Sequence, residues 1–96
     1  MRVRYNTQQM TSLTQLDVPA RLARKLLELA KQYGVVEPDG VRLRLSLTQS
    51  DLASLTGATR ESVNKALGNF RRQSLILMQQ GNIIILDPEA LRDLAS

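Results

Sequence analysis

The apolar positions of this chain change period twice. Leu22, Leu26, Leu29 and Tyr33 recur at the spacing of one helix face, with Ala23, Leu27 and Ala30 widening the stripe. Arg21, Arg24, Lys25 and Lys31 fall outside it. Asp17-Val18-Pro19 predicts the start of that helix, because proline lacks only an N–H that would go unpaired in a first turn. Gly34 predicts its end. The period then drops to two: Val41, Leu43, Leu45 and Leu47 alternate with Arg42, Arg44 and Ser46. That alternation predicts a half-buried strand with its arginines in solvent, entered through the Pro38-Asp39-Gly40 turn.

Helical spacing returns at Thr48, which forms a capping-box arrangement with Asp51. Leu52, Ala53 and Leu55 are the expected apolar contacts of this short helix, and Gly57 its stop. Thr59 can cap a further helix over about 60–72, with Glu61 in the positive first turn. Val63, Ala66, Leu67 and Phe70 make its buried stripe, leaving Arg60, Glu61, Asn64 and Lys65 largely outward. Leu52, Leu55, Val63 and Leu67 are expected to lock the two helices across the glycine corner. The runs "LILM" (75–78) and "NIIIL" (82–86) flank Gln79-Gln80-Gly81 and predict a β-hairpin. Asp87-Pro88-Glu89 then opens a small helix through Leu91 and Leu94. Helix, strand, helix, turn, helix, hairpin, helix is the plan of an α+β winged helix–turn–helix: a three-helix core, a hairpin wing and a small C-terminal helix.

Length and composition narrow the function classes. Ninety-six residues suffice for one modest core. The predicted division is a domain over 16–96 preceded by residues 1–15, which are a leader or the remnant of a dimerisation helix; Val3, Met10 and Leu13 offer only a thin seam there. With neither Cys nor His, disulfides, Cys/His metal sites and Ser–His or Cys–His catalytic pairs are excluded. No nucleophile is paired with a base and no Gly-rich phosphate loop follows a strand, so no catalytic residue, metal ligand or cofactor is assigned. The longest apolar run, 83–86, is far short of the roughly 20 residues that span a bilayer. A cytoplasmic protein without membrane contact is expected. The net charge of +4 favours a polyanionic partner.

The exposed start of the 60–72 helix supplies chemistry for such a partner. An α-helix fits the major groove of B-DNA, and side chains near its N-terminus reach base edges first. Arg60 can fork onto guanine, Glu61 can accept from cytosine N4, and Lys65 can reach guanine acceptors. A purely electrostatic binder gains nothing from a carboxylate against DNA, so Glu61 points to base reading. Thr48, Gln49, Thr59 and Ser62 lie near two helix N-termini, where hydroxyls, an amide and backbone N–H groups can hold phosphate. Asn82 at the hairpin tip is a further candidate backbone contact. The competing reading is a protein-interaction or assembly module that uses the same scaffold without DNA.

The stretches "LDVPARLARKLLELAK", "LTQSDLASLTGATRESVNKALGNFRRQSLI" and "GNIIILDPEALRDLA" resemble the C-terminal DNA-binding domain of the Crp/Fnr family of bacterial transcription regulators. The resemblance implies that Arg60, Glu61 and Lys65 hold the family's base-reading positions, and Thr48, Gln49, Thr59 and Ser62 its backbone-contact positions. It implies a homodimer reading a palindromic operator, and a loop over 35–40 that can touch RNA polymerase. Three features depart from the pattern. Lys65 stands where the forked Arg is usual, Gln73-Ser74 replaces an acidic-glycine turn, and Asn82 replaces a basic wing residue. The family's effector-binding β-barrel has no counterpart in these residues.

Overall fold

Helix α1 (Val18–Tyr33) starts at the proline-marked position in the computed structural model, which describes residues 17–95. The leader or dimerisation remnant expected at 1–15 lies outside the described residues. Val18, Leu22, Ala23 and Leu26 are buried, Leu29 is half-buried, and Tyr33 is 44% exposed. Tyr33 therefore does not share the buried face expected of it, because the helix ends beyond the core it packs against.

Gly34 does end α1, but in extended conformation (φ −81°, ψ 141°) rather than in a left-handed cap. A Cβ there would meet the Ala30 carbonyl oxygen at 2.3 Å and Val41 Cγ1 at 2.7 Å, so close approach is what demands glycine. Gly34 also opens a strand the sequence pattern did not show, β1 (Gly34–Glu37), which pairs antiparallel with β2 (Gly40–Leu43). Val35 and Val36 are both exposed, so no alternation marked this edge strand. The strand expected over 41–47 stops at Leu43. Its neighbour β4 (Asn82–Ile85) pairs only with Val41 and Arg42, and β1 begins opposite Leu43, so no ladder partner remains beyond it. Leu45 and Leu47 stay half-buried without a ladder.

Helix α2 (Gln49–Thr56) has the predicted reciprocal cap. Asp51 N donates to Thr48 Oγ1 and Thr48 N to Asp51 Oδ2, both at 3.0 Å. Its buried face is Leu52, Ala53 and Thr56, not Leu55, which is 45% exposed. At 3.6 residues per turn Leu55 lies about 100° from the centre of that face. Thr56 tolerates burial because its hydroxyl donates to the Leu52 carbonyl at 2.7 Å. Gly57 is left-handed (φ 68°) and turns the chain into α3 (Arg60–Arg72), which buries Val63, Ala66, Leu67 and Phe70. The corner is thus held by Leu52, Ala53, Val63 and Leu67 without Leu55.

At the far end of α3, Ser74 takes the left-handed conformation (φ 60°) usually given to glycine, with Leu75 N donating to the Phe70 carbonyl at 2.9 Å. The hairpin follows as predicted, β3 (Ile76–Gln79) against β4, joined by Gln80-Gly81 at φ 54° and 79°, the type I′ geometry. Asp87 Oδ1 accepts from Ala90 N at 3.1 Å and caps α4 (Pro88–Ala95). Strand order is β1-β2-β4-β3. The inner face joins Leu43, Ile76 and Ile85 to one core with Leu22, Leu26, Leu52, Leu67, Phe70 and Leu91.

The outer face holds a second packing unit. Registers align Val35, Arg42, Ile84 and Leu77 in one cross-strand row. Arg42 was expected in solvent; its side chain is only 15% exposed. It pairs with Glu37 Oε2 at 2.9 Å, reaches Gln79 Oε1 at 2.7 Å and Asn82 Oδ1 at 3.4 Å. To reach Gln79 on β3 the side chain spans β4, where Arg42's register partner Ile84 is 2% exposed. The period-two pattern correctly turned Arg42 outward but could not show that the hairpin would supply it with partners.

Candidate nucleic-acid interface

The buried stripe of α3 fixes which side chains face away from the body. Arg60, Glu61, Asn64 and Lys65 are all exposed over its first two turns. None of Arg60, Glu61 and Lys65 forms an ion pair among the described residues, so their charged groups are uncommitted. Thr59 Oγ1 accepts from Ser62 N at 3.1 Å and donates to Ser62 Oγ at 2.9 Å. Thr59 thus caps the helix with its oxygen and spends its proton on Ser62, whose own hydroxyl proton is left for an outside acceptor.

The start of α2 is tied to the same face. Gln49 Nε2 donates to Asn64 Oδ1 at 2.8 Å, which joins Gln49, and Thr48 beside it, to the exposed side of α3. Seven of the eight predicted contacts, Arg60, Glu61, Lys65, Thr48, Gln49, Thr59 and Ser62, therefore belong to one helix pair. Asn82 stands apart on the hairpin, half-buried, with its Oδ1 turned to Arg42. At the other end of α3, Arg72 bonds to Asn69 and Arg71 Nη1 meets Met78 Sδ at 3.8 Å.

Beside the first turn of α3 lies an open cleft of about 630 Å³, whose lining includes Arg21, Gly57, Thr59, Ser62 and Lys65. Arg21 had no predicted role: its position off the apolar stripe marked it only as a surface cation. A groove of similar size between α1, the sheet and α4 contains none of the eight predicted DNA contacts. Among the described residues no helix is long and apolar enough to cross a membrane.

An exposed, capped helix locked to a shorter one across a left-handed glycine, with a hairpin following, defines a winged helix–turn–helix domain. Residues 20–94 match the Crp-like helix-turn-helix domain, and the chain belongs to that family. It is similar to the CRP-like cAMP-activated global transcriptional regulator of Mycobacterium tuberculosis (strain H37Rv), at 39% identity over 90 residues covering 94% of this chain and 40% of that protein. It also resembles the global nitrogen regulator of Synechococcus elongatus, 34% identical over 80 residues, 83% of this chain and 36% of that protein. Among solved structures, the CO-dependent transcription factor CooA of Carboxydothermus hydrogenoformans aligns with a TM-score of 0.78 at 27% identity, covering 92% of this chain and 42% of that one. A CRP-family transcriptional regulator of Thermus thermophilus aligns at 0.75 with 30% identity, over 91% and 45%. The chain spans about two fifths of the length of these relatives.

Proposed function

We propose that this domain binds double-stranded DNA sequence-specifically as the DNA-reading part of a bacterial transcription regulator, with the first turns of α3 in the major groove. The observation that carries the reading is the uncommitted Arg60–Glu61–Lys65 set, presented by a helix whose opposite face is buried. Arg60 forks onto guanine, Glu61 accepts from cytosine N4, and Lys65 supplies a less directional contact to guanine. Thr48, Gln49, Thr59 and Ser62 hold phosphate oxygens around the same helix ends, and Asn82 adds a backbone contact from the wing. A homodimer of the whole regulator reads a palindrome, one α3 per half-site, and the 35–40 segment, expected as a loop but folded as most of β1 and its turn into β2, reaches RNA polymerase. These last two points rest on kinship with the CRP-type regulators. The reading gives these residues no catalysis and no cofactor, and places the protein in the cytoplasm.

The test is a titration of a specific and a random duplex with wild type, Arg60→Ala and Glu61→Ala. Loss of a bidentate base contact costs about 1–3 kcal/mol, roughly 5- to 150-fold in affinity. That loss is expected on the specific duplex, with at most a small change on the random one. Equal losses on both would overturn base reading.

A further inference from the structure

Resting on the DNA-reading proposal, we infer that Arg21, a residue of the scaffold helix α1, is an additional phosphate contact acting from the cleft beside the start of α3. Arg21 lines that cleft together with Thr59, Ser62 and Lys65, so cations from two helices and two hydroxyls border one opening. Its guanidinium is poorly satisfied in the free protein. Its one acceptor among the described residues is the Gly57 carbonyl, reached by Nη2 at a long 3.5 Å, and its buried Nε has no partner. Glu61 also borders the cleft but forms no ion pair with Arg21 or Lys65. Two other arginines are better held: Arg42 by Glu37 and Arg24 by the Ala95 carbonyl at 2.8 Å. A guanidinium with five donors and one weak bond gives up little in turning its fork to a phosphodiester. Arg21 sits beside Gly57, where the chain turns into α3, so a phosphate held by its fork would lie close to the bases α3 reads.

The experiment measures DNA affinity of the full chain against salt for wild type, Arg21→Gln and Arg21→Lys, on specific and random duplexes. Each phosphate neutralised contributes about −0.9 to the slope of log K against log salt. Arg21→Gln is expected to be shallower by about that amount on both duplexes. Between 50 and 200 mM salt it would then lose roughly 3.5-fold less affinity than wild type. Arg21→Lys should keep the wild-type slope, and melting curves of all three should coincide within a few degrees. A wild-type slope for Arg21→Gln would overturn the assignment of Arg21 while leaving the DNA reading intact. Failure of wild type to bind either duplex would overturn both.

Discussion

Replacing Arg42 by alanine should cost this small domain about 2–3 kcal/mol, although the residue belongs to neither the core nor the proposed base-reading set. Three losses contribute. The Glu37 pair is partly exposed, 15% on the arginine side and 32% on the carboxylate side, so screening limits it to roughly 0.5–1 kcal/mol. The bonds to Gln79 and Asn82 are near the surface, and the freed amides recover water, leaving about 0.5 kcal/mol each. The third loss is cover: Ile84 is buried on the same face as its register partner Arg42, and if the arginine stem shields it, uncovering on the order of 40 Å² of apolar surface costs about 1 kcal/mol. At roughly 4–8 °C per kcal/mol for a domain of this size, the melting temperature should fall by roughly 10–20 °C. Arg42→Met separates the contributions, since it keeps a stem over Ile84 and removes every polar bond. It should lose about two thirds as much. Melting curves followed by circular dichroism read both variants. If Arg42→Met is as destabilised as Arg42→Ala, the stem contributes no cover; if Arg42→Ala melts within about 2 °C of wild type, the network does not hold the wing to β2 at all.

The corrected face of α2 gives a paired prediction. Leu55→Gln should change stability by less than about 0.5 kcal/mol, whereas Leu52→Ala should cost about 2–5 kcal/mol in denaturant titrations; comparable losses would restore Leu55 to the core. Ser74→Gly should stabilise by roughly 0.5–1 kcal/mol, because glycine adopts φ 60° without the penalty a Cβ brings; a drop in the unfolding midpoint would contradict the left-handed turn at the end of α3.

Where local chemistry decides the outcome, the sequence announced it. The caps at Thr48, Thr59 and Asp87, the corner at Gly57 and the hairpin around Gly81 all form where short-range hydrogen bonding and permitted dihedrals placed them. The proposed reading face was legible for a related reason. Once Val63, Ala66, Leu67 and Phe70 are recognised as a stripe, Arg60, Glu61 and Lys65 have nowhere to go but outward. What stayed hidden depends on partners distant in the chain. β1 is an edge strand with two exposed valines, defined by its pairing with β2 rather than by its own pattern. Leu55 is exposed while Thr56 takes a buried position, because a hydroxyl can satisfy itself within its own helix. Arg42 gains its partners from Gln79 and Asn82, nearly forty residues on, and Arg21 meets the Gly57 carbonyl across 36 positions. No local periodicity encodes such meetings.

The central claim is that α3 reads bases rather than merely attracting DNA, and selection of duplexes from a random pool tests it most directly. The account predicts enrichment of a short motif containing G·C pairs read by Arg60 and Glu61, changed or lost at single positions when either residue becomes alanine. In a dimeric regulator the motif recurs as an inverted repeat, its halves one helical turn or a multiple of it apart. A pool that binds yet keeps the sequence statistics of the input would contradict it.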